Sequence, residues 1–154
     1  TKPLYGNGGA GINRSKEDKL IGIDIDCEYL EMPIMAQKYI PEISEGDRRI
    51  IFFDGDYVGS VARIPEEGSI KANFHAGGSA KKTGLVFRDK QIIDKIGKEL
   101  KKLDLFFVGI DIIGDYLTEI NVTSPTGIKQ VNKLNNVKLE QVFWDKLEAK
   151  YKIV

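Results

Sequence analysis

The stretch Phe107-Val-Gly-Ile-Asp-Ile-Ile-Gly-Asp-Tyr-Leu-Thr-Glu-Ile-Asn-Val-Thr-Ser-Pro-Thr126 constrains this chain more than any other. It opens within a nearly continuous apolar run, Leu105 to Ile113, of the kind a central buried strand shows. Tyr116 to Thr123 reads as the next strand, after Gly114-Asp115. Asp111 lies inside the apolar run, where a carboxylate is costly unless it is paired, hydrogen-bonded or bound to metal. Glu119 and Asn121 sit two positions apart on the following strand, so their side chains share a face.

Whether Asp111 joins that face depends on the turn. A two-residue turn at Gly114-Asp115 pairs Ile113 with Tyr116 and puts Asp111 and Glu119 on opposite faces. A three-residue turn that includes Tyr116 pairs Ile113 with Leu117 and sets Asp111 opposite Glu119. The second is expected. Two carboxylates and an amide oxygen on one face are hard oxygen ligands suited to magnesium or manganese. On spacing alone, metal binding and a merely solvated acidic hairpin both remain open.

The other elements follow from punctuation and periodicity. Arg49 to Phe53 and Tyr57 to Ile64 are β-rich runs around Asp54-Gly55-Asp56, a strong hairpin signal. Pro33 to Ile40 reads as an extended strand stopped by Pro41, and Leu20 to Ile25 as a short strand or helix end. Pro65 to Gly84 is expected to be loop, with a short strand near Ile70 to Phe74. Ile92, Ile93, Ile96, Leu100 and Leu103 recur at helical spacing, predicting a helix over Arg88 to Leu103. Leu139 to Tyr151 is a closing helix, with Val142, Phe143, Leu147 and Trp144 inward. Strands, then helix, two strands and helix: the pattern is α+β, an antiparallel sheet with packed helices.

Composition excludes more than it proposes. Lys plus Arg and Asp plus Glu both number 23, so no charge excess recommends nucleic acid or a membrane surface as partner. No apolar run approaches the roughly 20 residues of a membrane-spanning helix. Cys27 is the single cysteine, so no intrachain disulfide forms, and the expected compartment is the cytoplasm. Thr1-Lys-Pro-Leu-Tyr-Gly6 has neither an initiator Met nor the apolar stretch of a signal peptide. The expectation is a fragment lacking its upstream sequence.

The glycine-laden segment Gly6-Asn-Gly-Gly-Ala-Gly11 is not followed by an amphipathic helix, so it does not complete a dinucleotide fingerprint. Its backbone amides can cover phosphates as a flap, or it is a plain loop. Arg49 and Arg63, near the ends of the two hairpin strands, match phosphate or carboxylate oxygens, or are surface cations. His75 is the only histidine and has no nucleophile pattern around it.

Taken in order, several segments resemble one family. They are Lys2 to Ala10, Gln37-Lys-Tyr-Ile-Pro-Glu42, Gly46-Asp-Arg-Arg49, Ala62-Arg-Ile-Pro65, Asn73-Phe-His-Ala-Gly-Gly78 and Val108 to Thr126. Together they resemble bacterial-type glutathione synthetase, of the ATP-grasp superfamily, over essentially the whole chain. The resemblance implies a partial ATP-grasp fold, with 1–40 as the remainder of a small lobe and 41–154 as the large lobe. It implies an ATP- and magnesium-dependent ligase joining γ-glutamylcysteine and glycine through an acylphosphate, in a homo-oligomer. Lys2 would reach the nucleotide phosphates, with Gly6, Gly8 and Gly9 in the loop that covers them. Gln37, Lys38, Tyr39 and Ile40 would be the hinge that meets adenine, and Asp47 would lie near the ribose. Asp111, Glu119 and Asn121 would hold the metal, while Arg49 and Arg63 would face the transferred phosphoryl group or the peptide. Pro65 to Gly78 would be a lid, with Gly77, Gly78, Ser124 and Thr126 toward substrate. Tyr5 and Asn7 depart from the Asp and Met usual in the family's glycine loop, and Lys38 stands where some members carry Asn. The alternatives are another ATP-grasp carboxylate–amine ligase and a non-catalytic nucleotide-binding module.

Overall fold

The computed structural model describes residues 1–4, 11, 12, 14, 33–72, 74 and 77–152. The reading of Leu20 to Ile25, the glycine-segment residues Gly6, Gly8 and Gly9, Cys27 and His75 lie outside the described residues.

Two short strands, β1 (Lys2–Pro3) and β2 (Ile34–Met35), pair antiparallel. The extended segment expected from Pro33 to Ile40 is thus a paired strand over only two residues. A 3₁₀ turn, Pro41–Glu45, follows. The main sheet contains β3 (Asp47–Phe53), β4 (Asp56–Ile64), β5 (Ser79–Lys81), β6 (Phe107–Ile113) and β7 (Tyr116–Asn121). Its order is β5-β4-β3-β6-β7, antiparallel throughout. The helices are α1 (Phe87–Lys102), α2 (Ile128–Asn135) and α3 (Leu139–Tyr151). The fold is α+β, as the element pattern predicts.

Residue parity divides the sheet into two faces. Ile50 and Phe52 of β3, and Val108, Ile110 and Ile112 of β6, pack against Ile92, Ile93 and Leu100 of α1. Ile51 and Phe53 face the opposite way and meet Val61, Val131 of α2 and Leu139 of α3. On that second face β3 also carries Asp47 and Arg49, four and two residues back from Ile51 along the same alternation. One end of the face is therefore an apolar core under two helices. The other end is ionic.

Several sequence expectations need correction. Helix α2 was not expected: Ile128 and Val131 form only a short apolar stripe, and its glycine N-cap, Gly127, carries little helix-start signal. No strand forms over the described part of Ile70 to Phe74, whereas β5 forms inside the segment expected to be loop. Leu103 caps α1 and is exposed, and Trp144 is exposed rather than inward, touching Phe143 edge-on. Trp144 follows the packed Phe143 directly and so projects about 100° round the helix from it, away from the core.

Both hairpins use two-residue turns. Asp54 and Gly55 both have positive φ, 51° and 72°, as a type I′ turn requires. Gly114 has φ 54° and begins the β6–β7 turn, so Ile113 pairs with Tyr116. The three-residue turn expected there does not form. Nevertheless Asp111 pairs with Glu119, because the ladder steps from Ile112–Leu117 to Asp111–Glu119 and leaves Thr118 as a β-bulge. The Thr118 hydroxyl donates to the Asp111 carbonyl oxygen at 3.1 Å. The bulge supplies the extra residue that the turn does not.

Candidate functional site

Four charged side chains are buried at the ionic end of the sheet. Arg49 grips Asp111 with two bonds, Nε to Oδ1 at 2.5 Å and Nη2 to Oδ2 at 2.9 Å. Arg63 grips Asp47 the same way, both bonds at 2.6 Å, and its Nη2 also lies 2.8 Å from Asp111 Oδ2. The strand register places them so: Asp47 is opposite Arg63, and Arg49 is opposite Asp111, which in turn is opposite Glu119. Bidentate arginine forks on carboxylates are the form in which buried charge is best tolerated.

The two acids respond differently. Burial alone pushes both carboxyls up. At Asp47 burial, helped by the Asp111 charge, prevails over the bonds and charge of Arg63 and the charge of Arg49, and the pKa is raised. At Asp111 the bonds and charges of two arginines prevail, and the pKa falls below the ordinary carboxylate value. The two arginines thus favour the ionised form of Asp111. At Glu119 burial, then the Asp111 charge and a hydrogen bond to that carboxyl, raise the pKa, while Lys2 and Arg49 oppose the rise. Lys2, from the separate β1–β2 sheet, is thus brought within the electrostatic field of Glu119. Asn121 carries the only buried side-chain polar atom without a hydrogen-bond partner among the described residues, its Nδ2. An amide's O and N are assigned from its partners, so a partnerless amide fixes neither orientation.

These donors fit a hard divalent cation. Glu119 ionises against the charge of Asp111, which a cation would relieve, and the Asn121 amide is left for an external partner. Asp111 has less to offer: with about four acceptor sites on a carboxylate, three are engaged by Arg49 and Arg63. The described residues contain no group of three or more His, Cys, Asp or Glu placed to enclose a metal by themselves. Magnesium does not need one, because it keeps waters and phosphate oxygens as ligands.

The remaining expected residues scatter around this centre. Gln37 and Lys38 are exposed in the segment before the 3₁₀ turn; the Tyr39 ring lies under the Arg14 guanidinium at 3.8 Å, and Ile40 is extended. Asp47 holds Arg63 with both oxygens. Arg49 and Arg63, expected to face a phosphoryl group, spend these nitrogens on protein acceptors and are almost fully buried. Gly77 has φ 86° and fits against Glu66, and Gly78 follows it before β5. Ser124 adopts φ 48°, and the Thr126 carbonyl accepts from Arg49 Nη1 at 3.1 Å. A pocket of ≈ 410 Å³ opens beside this loop, lined by Phe74, Pro125, Thr126, Gly127, Lys129 and Gln130 among others. Thr118 and Gly109 were not singled out by sequence. A glycine inside an apolar strand signals close approach of another group, and Gly109 could have been found that way.

A family model for the ATP-grasp domain of prokaryotic glutathione synthetase matches residues 1–136. Curated relatives include glutathione synthetases from Agrobacterium fabrum, 43% identical over 97% of this chain and 48% of that protein, and from Mesorhizobium japonicum, 43% identical over 98% and 49%. The glutathione synthetase of Prochlorococcus marinus subsp. pastoris is also 43% identical, over 95% of this chain and 48% of its own length. The chain spans about half the length of the curated relatives it matches.

Proposed function

Because the chain belongs to the ATP-grasp domain family of prokaryotic glutathione synthetases, we propose that it is the nucleotide- and metal-binding part of a ligase that joins γ-glutamylcysteine to glycine. The γ-phosphoryl of ATP passes to the peptide's C-terminal carboxylate, and the glycine amine displaces phosphate from the acylphosphate. Residues 1–40 serve as small-lobe remainder and 41–154 as large lobe, in a cytoplasmic homo-oligomer.

Phosphoryl transfer asks a protein for position and for charge opposite the spreading negative oxygens, with little covalent chemistry. Magnesium or manganese, when bound, would supply positive charge against those oxygens. Glu119 and Asn121 would hold it, with Asp111 behind them. Arg49 and Arg63 hold Asp111 ionised and aimed. Lys2 lies on the nucleotide side of Glu119, Gly6, Gly8 and Gly9 cover the phosphates, Gln37 to Ile40 meet adenine and Asp47 lies near the ribose. Gly77 and Gly78 belong to the lid, and Ser124 and Thr126 to the substrate loop. The observation that carries this reading is the placement of Glu119 opposite the buried, arginine-held Asp111, on the strand where Asn121 Nδ2 has no hydrogen-bond partner.

The test is ADP release from ATP, magnesium, γ-glutamylcysteine and glycine, measured for the chain alone and for the complete gene product that carries it, leaving out each component in turn. ADP formation that requires all four supports the proposal. Turnover only with other acid and amine pairs keeps an ATP-grasp ligase and discards glutathione synthesis. Tight magnesium–nucleotide binding without turnover leaves a non-catalytic module.

A further inference from the structure

Gly109 sits at the crossing of three parts of this site. It lies two residues before Asp111 on β6, opposite Asn121 and across from Ile51 of β3. A Cβ there would stand 2.8 Å from Pro125 Cβ, 3.2 Å from Arg49 Cδ and 3.4 Å from Arg49 Nη1. The missing side chain lets the Arg49 stem and the Pro125 ring lie together over the strand. In that position Arg49 uses Nε and Nη2 on Asp111 and Nη1 on the Thr126 carbonyl. One guanidinium thus joins the metal-side acid to the loop carrying Ser124 and Thr126. That loop is held in a conformation with a cost: Ser124 at φ 48° lies in the left-handed region, which a side chain with a Cβ disfavours. Such backbone persists where surrounding contacts over-determine it. Pro125 and Gly127 of the same loop are buried, and the pocket of ≈ 410 Å³ lies beside them.

We propose that Gly109 and Arg49 form a joint that fixes the 124–127 loop on the acidic hairpin, making both of them positioning residues for the acid or amine substrate. The inference rests on the ligase reading for what the loop binds, but not for the joint itself. When the space at Gly109 is filled, one side must move. Strand β6 is hydrogen-bonded on both edges, to β3 and β7, whereas residues 122–127 belong to no sheet. The loop therefore yields. Pro125 moves off, the Arg49–Thr126 bond is lost, and the first turn of α2, closed by Val131 N–H to the Gly127 carbonyl at 2.9 Å, loosens with it.

Gly109→Ala tests this in two arms. Hydrogen exchange on the chain should show the Val131 amide exchanging at least about tenfold faster, with amides of β3 and β6 unchanged. In the complete gene product, the KM for the peptide or for glycine should rise at least about tenfold while the KM for magnesium–ATP stays within about twofold. Pro125→Gly in the Gly109→Ala background removes the Cβ that the new methyl meets and should return much of the Val131 protection; Pro125→Gly alone is the control. Unchanged exchange at Val131, equal acceleration throughout the sheet, or a rise confined to the magnesium–ATP KM would each overturn the joint. A wild-type gene product without ligase activity would refute the functional reading, and the exchange arm would still decide the joint.

Discussion

Replacing Arg63 by Met is expected to destabilise the chain by about 3–4 kcal/mol at pH 7, and by much less at pH 5. Arg63 supplies the side-chain hydrogen bonds that Asp47 receives among the described residues, two of them at 2.6 Å, and Asp47 is only 7% exposed. Breaking a buried pair by removing one member typically costs about 3–5 kcal/mol, because a desolvated charge remains. Protonation limits that cost. An aspartate with an ordinary pKa near 3.9 can become neutral at pH 7 for about 4 kcal/mol, and at pH 5 for about 1.5 kcal/mol. Asp47 is already pushed upward by burial with its arginine present, so it takes this route readily. The sign follows: a raised folded-state pKa means stability is lost as pH rises, and the defect grows from pH 5 to pH 7. Asp111 keeps Arg49 and contributes less to the loss. Urea unfolding followed by circular dichroism reads the effect. With a slope of about 2 kcal/mol per molar urea, the midpoint should fall by roughly 2 M at pH 7. Combining the change with Asp47→Asn should recover most of it. A variant within about 0.5 kcal/mol of wild type at pH 7, or one equally weakened at both pH values, would refute the reasoning.

Glu119→Gln should have opposite effects on stability and function. It removes a carboxylate whose ionisation Asp111 opposes, so the urea midpoint without magnesium should rise at pH 7, while turnover of the complete gene product falls at least about a hundredfold. A lower midpoint, or near-normal turnover, would count against its assigned place. Asp111 has a depressed folded-state pKa, so its stabilisation is fully present above about pH 4 and is lost as pH falls through that lower value. Urea midpoints between pH 7 and pH 2 should show this loss, and Asp111→Asn should flatten it. Deleting Thr118 removes the bulge while keeping Glu119 opposite Asp111, so magnesium–nucleotide affinity measured by calorimetry should stay within about fivefold. Complete loss of binding would show that register is not what the bulge provides.

Much of the core and the identity of the candidate site were legible in sequence, because they depend on local alternation. The apolar run around Asp111, the i, i+2 relation of Glu119 and Asn121, and the Asp54-Gly55 turn each express a period or a turn chemistry contained within a few residues. The resemblance across six ordered segments carried the family, which the comparison over residues 1–136 bears out. Helix α2 escaped because its stripe is short and Gly127 is a poor sign of a beginning. The β6–β7 turn was read wrongly while the pairing it was meant to explain was right. Alternation requires an extra residue between Ile113 and Glu119, but it does not say whether the turn or a bulge holds it.

What only the tertiary structure decided is how the charges are shared. Sequence contains Asp47, Arg49, Arg63 and Asp111 but no rule for matching them, since their partners come from β3, β4 and β6 meeting across the sheet. Folding bonds Asp111 to two arginines and Asp47 to one, and so burial raises the pKa of Asp47, helped by the Asp111 charge, while the two arginines lower that of Asp111. Arg49 and Arg63, which the resemblance sets facing the transferred phosphoryl group or the peptide, each grip a carboxylate across the sheet, a pairing that only the meeting of these strands could show. Local period determined which side chains could share a face; the meeting of distant strands determined which of them would hold each other.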